Sequence, residues 1–203
     1  MLRGKLPKEN AFDEMAALPG ARDQIFEFTA ADPVTASPYA KNEDWYFYVN
    51  GYKDAADFLA AHVATEGNPR KLGYPILFLY RHHLELAIKK LIRDCYTLLG
   101  HDHAIPAIHA IDKLWQLCCS LLQEISPGIP KNEEIQQTTR LVTDLCKVDP
   151  KSEAFRYPED KSGNAPRLDV AFDIGTVGVV VGKISLLLDC IGTDIHARRY
   201  DAS

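Results

Sequence analysis

Hydrophobic positions recur along most of the chain at spacings of three and four, which is the period of an amphipathic α-helix. The spacing predicts helices over 42–67, 73–100, about 106–124 and 132–149. A fifth segment, 167–195, is apolar over most of its length and is predicted to form a last long helix. A buried strand at 176–181 is the alternative there, because β-branched residues favour strands.

The segment 73–100 gives the strongest helix prediction. It is apolar on nearly every side, which is typical of the central helix of a bundle. Pro75 fits the first turn and Gly100 fits the C-terminal cap, whereas "NPRK" before it resembles a linker. Because no regular alternation of strands and helices appears, we predict an all-α bundle of four to five helices.

The pattern also divides the chain. Residues 1–41 are rich in proline and turn signals, so we predict an irregular N-terminal arm with at most one short strand at 24–30. Such an arm would lie on the main domain or bind a partner. Residues 42–195 form the predicted helical domain, and 196–203 form a C-terminal tail.

The composition is typical of a globular domain in a reducing compartment. The 203 residues are enough for one domain with a real core, and the net charge of −5 gives no global attraction to nucleic acid. Five cysteines without a C-x-x-C pair suggest reduced thiols. The first residues do not resemble a signal peptide, and the longest uninterrupted apolar run, about 174–182, is shorter than the roughly 20 residues that span a bilayer. We therefore expect a cytoplasmic protein that does not span a membrane.

The stretch "LYRHHLELAIKKLI" places charges inside an apolar helix. At roughly 100° per residue, Arg81 and Glu85 share one face with the core positions Leu77, Leu84 and Ile88. They form either an ion pair at a packing seam or an Arg clamp, held by Glu85, that binds phosphate.

The histidines suggest acid–base chemistry rather than metal binding. His82 flanks the Arg81 face and is the better candidate for a catalytic base, whereas His83 points nearly the opposite way. Adjacent histidines on one helix cannot share a metal, and His101, His103 and His109 complete no zinc pattern. We predict no metal and no cofactor, with His109 packing at the start of a helix.

The loop sequence "FRYPED" is the second candidate region. Arg156 is a second cation for a phosphate, and Tyr157 is able to stack on a base. The alternative is that Phe155 and Tyr157 only fix the loop to the bundle.

Residues 74–117 resemble the HEPN superfamily in "YPILFLYRHHLELAIKKLI" followed by a short polar loop and "IHAIDKLWQL". Glu85 and Lys89 match one part of the family pattern, and His109 with Ile111 and Leu114 matches another. The resemblance implies a helical bundle, usually dimeric, and for many members metal-independent ribonuclease activity in toxin, antiphage or RNA-processing systems. In the family's pattern four to six residues lie between the Arg and the His, but here Arg81 directly precedes His82 and His83, and the last helix lacks such a pair.

The function expected from this resemblance is a module that binds nucleotide, RNA or a protein partner in a bacterial RNA-related, stress or phage-defence setting. Its polar pocket would contain Arg81, Glu85, His109, Arg156 and Tyr157. One alternative is a metal-independent endoribonuclease that uses Arg81 with His82 or His83. Another is a purely structural partner protein. A homodimer through the last helix or the 73–100 helix is also expected.

Overall fold

Five α-helices make up most of the part of the chain that the computed structural model describes, namely residues 44–159, 162–164 and 171–201. They are α1 (Asp44–Glu66), α2 (Pro69–Leu99), α3 (Ile111–Ile125), α4 (Glu133–Val148) and α5 (Ile174–Asp201), with a 3-10 turn at Ile129–Lys131. No strand occurs within the described residues, so the predicted all-α bundle is confirmed. The predicted arm at 1–41 lies outside them.

Helix α2 lies at the centre of the bundle. Helices α1, α3 and α5 pack against it, and α4 joins through α3. Its fully buried apolar side chains include Ile76, Ile88 and Ile92. Each of them stabilises the fold by about 1.5–3 kcal/mol through burial. The prediction of a central helix that is apolar on several sides is thus confirmed.

The start of α2 differs from the prediction. Asn68 is the N-cap, and its side chain accepts a hydrogen bond from the Lys71 amide at 3.3 Å. Pro69 occupies the first turn, where its missing N–H costs nothing. The supposed linker is therefore the first turn of the helix, and Pro75 lies inside it. At the other end Gly100 adopts the left-handed conformation (φ 70°), as predicted for the C-cap.

Helix α3 begins at Ile111, about five residues later than predicted. The carbonyl of His109 accepts a hydrogen bond from the buried Arg81 guanidinium at 2.6 Å, which holds the preceding segment outside the helix. His109 is therefore a loop residue rather than the start of the helix, and Ile108 is exposed. Within the helix, Ile111, Trp115, Cys118 and Leu122 are buried against the rest of the bundle.

The last apolar segment forms helix α5, so the helix prediction is confirmed and the strand alternative at 176–181 is wrong. The side chain of Asp173 accepts a hydrogen bond from the Thr176 amide at 2.6 Å and so caps the helix. The helix continues through 196–201, so most of the predicted tail is helical. Contrary to the expectation from the uninterrupted apolar runs, α5 would suffice by length and composition to cross a membrane. In this structure it packs against α1 and α2.

Tyr80 joins three helices. Its hydroxyl donates to Asp57 Oδ1 of α1 at 2.7 Å, and a Cβ added at Gly178 of α5 would lie 2.7 Å from the hydroxyl oxygen. Burial, and then the Asp57 carboxylate, raises the pKa of Tyr80, so the hydroxyl stays protonated and donates. The close approach of α5 to the Tyr80 side chain therefore depends on the absence of a side chain at Gly178. Gly182, on the same helix, faces open space.

We expect Gly178→Ala to lower the free energy of unfolding by about 1–3 kcal/mol, because the new methyl group displaces a buried, hydrogen-bonded ring. Gly182→Ala is the matched control and should be neutral or raise stability by up to about 1 kcal/mol. Urea unfolding of both variants checks this. Equal stability of the two would contradict the close contact, and Tyr80→Phe should partly restore the Gly178→Ala variant.

Candidate functional site

Arg81 lies at the centre of a buried ion cluster. Its Nη1 donates to Glu85 Oε2 at 3.1 Å, which confirms the predicted pairing one turn apart. Asp149, directly after α4, brings its Oδ2 to 3.0 Å from Nε, where the alignment makes an ion pair but no hydrogen bond. Only 1% of Arg81 is exposed, so in this conformation its guanidinium is not accessible to a ligand.

Glu85 connects the ion cluster to the surface. Its Oε1 lies 2.9 Å from Lys89 Nζ and 2.9 Å from His109 Nδ1. Burial opposes ionisation of this carboxyl, but the hydrogen bonds from Lys89 and His109 outweigh it and lower its pKa. Because the carboxylate is ionised, Nδ1 of His109 carries the proton. The His109 side chain is 65% exposed, so its ring is accessible to a ligand.

A row of aromatic and cationic side chains lies beside this cluster. The His82 ring meets Tyr52 edge-on at 4.4 Å and stacks on Phe78 at 5.7 Å between ring centroids. The Arg156 guanidinium then lies over Phe78 at 5.9 Å and over Tyr157 at 5.5 Å. We call these five residues the aromatic ladder. Tyr157 and Arg156 are exposed, and the remaining three are partly buried.

The two adjacent histidines occupy different environments. Burial lowers the pKa of His82, and the nearby positive charges of Arg81, Lys89 and His109 add to this against the opposing effect of Glu85. Its imidazole is therefore neutral near pH 7 and able to accept a proton.

His83 is fully buried and its Nδ1 lies 2.8 Å from the Val49 carbonyl. A substrate has no access to it, which removes His83 as the base of a nuclease.

Asp149 links the ion cluster to the ladder. While Oδ2 faces Arg81, Oδ1 accepts hydrogen bonds from the amides of Glu153 at 2.8 Å and Ala154 at 3.0 Å. These bonds hold a tight loop in which Ser152 adopts a positive φ of 61° and its carbonyl accepts a hydrogen bond from Arg156 Nε. The buried ion cluster thus determines where Arg156 is presented.

The structure brings together only part of the predicted pocket. Arg81, Glu85 and His109 are in direct contact, while Arg156 and Tyr157 lie on the ladder. Phe155 is buried and fixes the loop, as one interpretation of "FRYPED" predicted, but Tyr157 is exposed.

Sequence reasoning missed Asp149, Phe78 and Tyr52 as site residues. An Asp-Pro at the end of a helix is a signal for a side-chain-stabilised turn and points to Asp149. Within the described ranges no three His, Cys, Asp or Glu side chains are grouped as a metal site.

We expect Asp149→Ala to lower the free energy of unfolding by about 3–5 kcal/mol, because it leaves the buried Arg81 with one carboxylate fewer. Hydrogen exchange should show that the amides of Glu153 and Ala154 lose protection. Asp144→Ala removes an exposed acid of α4 as the control and should leave stability nearly unchanged, because exposed ion pairs contribute little. Unchanged protection in Asp149→Ala would contradict the link to the loop.

No family model, curated protein or solved structure matches the chain. The relationship to the HEPN superfamily therefore stays a prediction from the motif.

Proposed function

We propose that the bundle binds single-stranded RNA across the aromatic ladder and the neighbouring His109. The ladder is the observation that carries this proposal. Aromatic faces accept stacked bases of any sequence, and an exposed Arg beside them binds the phosphates between those bases. Tyr157 and Arg156 lie together at the exposed end of the ladder and supply both functions.

Charge supports a local rather than a global attraction. The chain carries a net charge of −5, so RNA has to find a cationic region. Arg81 and Lys89 balance Glu85 and Asp149, and Arg156 then adds an exposed positive charge beside the aromatic rings. A nucleotide would use only part of this surface, whereas the ladder extends over α1, α2 and the loop.

We expect a fluorescein-labelled oligouridylate to bind the wild-type chain, and Tyr157→Ala to weaken binding about tenfold, or about 1.4 kcal/mol, through lost stacking. Arg156→Gln should also weaken binding and reduce the slope of log K against log salt by about one. Fluorescence anisotropy at several salt concentrations measures both.

The control is Arg140→Gln, which removes an exposed arginine of α4 that already pairs with Asp144. It should bind as the wild type does. Wild-type affinity in both ladder variants, or no binding by the wild type at low salt, refutes the proposal.

A second candidate function is metal-independent cleavage of the bound RNA. It is favoured by the neutral His82 and by the exposed His109, whose Nδ1 is held by a carboxylate. His82 would take the proton of the 2′-hydroxyl, the oxygen would attack the phosphorus, and a protonated His109 would return a proton to the leaving 5′-oxygen. The products are a 2′,3′-cyclic phosphate and a free 5′-hydroxyl.

For this second candidate we expect cleavage in EDTA, with the rate at saturating RNA reduced about 100-fold or more in His82→Gln and His109→Gln, so that weaker binding by these variants does not contribute to the loss. The lowered pKa of His82 keeps it unprotonated to more acidic pH, so the acid limb of the pH–rate profile should lie below 6.5. Arg140→Gln, purified in the same way, controls for contaminating ribonuclease. Equal rates in all variants would exclude this chemistry.

The expected homodimer also remains a proposal. Helix α5 exposes Val179 (59%) and Leu186 (65%) on its outer side. Their spacing along the helix places them on one face. A second copy of the chain packed along this face would cover them. A bacterial defence or RNA-processing setting, and a cytoplasmic location, follow from the resemblance and the composition alone.

A further inference from the structure

A cavity of about 410 Å³ opens between α1, α2 and α5. Helix α2 contributes Ala87, Lys90 and Leu91 to its wall. At roughly 100° per residue Lys90 lies on the side of α2 opposite Arg81, with Ala87 and Leu91 on its flank, and none of the residues that line the cavity belongs to the aromatic ladder. The cavity is therefore separate from the proposed RNA surface, and what it binds does not depend on that proposal.

Part of the cavity wall is apolar. Val49, Leu91 and Leu188 are buried side chains from three different helices. Gly192 of α5 lies on the same wall, and a Cβ added there would meet nothing within 4 Å. The space beside Gly192 is thus empty, and its wall combines these apolar side chains with Asn50 and Thr193, which suits a small organic molecule with a compact apolar body.

One end of the cavity is cationic. Lys90 Nζ lies 2.8 Å and His196 Nε2 3.6 Å from Oδ2 of the buried Asp94, and Arg93 Nη2 lies 3.4 Å from Oδ1. The buried Asp94 carboxylate therefore faces two cations, Lys90 and Arg93, together with His196, although Arg93 does not itself line the cavity. Lys90 and His196 line the cavity and are placed to bind an anionic group.

Asp189 lines the same cavity and carries a negative charge. It disfavours an acid with charges at both ends, because the second carboxylate would be repelled. We propose that this cavity binds a small monocarboxylic acid with a compact apolar body, its carboxylate at Lys90 and His196 and its body beside Gly192. The volume lies in the lower part of the range that is usual for small-molecule sites.

The test uses the full chain with 4-phenylbutyrate and its neutral analogue 4-phenylbutyramide, followed by ¹H–¹⁵N NMR titration. The acid should bind at least about fivefold more tightly than the amide. Gly192→Leu should weaken acid binding about tenfold or more, because the new side chain occupies the cavity. Gly182→Leu, a glycine of the same helix that also faces open space, should leave binding unchanged.

Lys90→Met should reduce the preference for the acid while binding of the amide persists. Gly192→Leu should leave affinity for the oligouridylate unchanged, so failure of this site and failure of RNA binding are separate outcomes. The proposal is overturned if the acid binds no better than the amide, if Gly192→Leu binds the acid as the wild type does, or if no shift is seen at about 10 mM acid. Should Lys90→Met fail to fold, the comparison of acid binding by Gly192→Leu and Gly182→Leu tests the proposal.

Discussion

The position of the buried Arg81 is the constraint on which the functional face of the bundle depends. A guanidinium in a core has to be surrounded by carboxylates and carbonyls, because an unpaired buried charge costs several kcal/mol. Glu85 comes from the same helix, but Asp149 and the carbonyl of His109 come from two separate loops. Both loops must therefore converge on α2 before the charge is compensated, and this convergence determines which side chains reach the surface.

The sequence predicts what local spacing decides. The helical periods, the left-handed Gly100 and the Arg81–Glu85 pair all follow from residues at most a few positions apart. Contacts between residues that are far apart along the chain cannot be predicted from local spacing. Glu85 and His109 are 24 residues apart, and nothing in the spacing shows that they meet.

The same limit explains the errors at the ends of elements. Helix α3 starts late because a carbonyl in the preceding loop is held by Arg81 of α2, although the local sequence is compatible with helix. The strand alternative for α5 rested on β-branched residues, but cap and packing outweigh that preference. Propensity thus gives the kind of element, and contacts between distant residues decide where it begins and which partners surround it.

The adjacency of His82 and His83 has a practical consequence for mutagenesis. One imidazole belongs to the ladder, and its neighbour is bound to the Val49 carbonyl between α1 and α2. Replacing the dipeptide with two alanines, an ordinary first choice, would remove a ring from the ladder and create a cavity in the core. A loss of activity in that double variant would not distinguish a destabilised core from the loss of a functional ring. The two positions therefore have to be substituted one at a time.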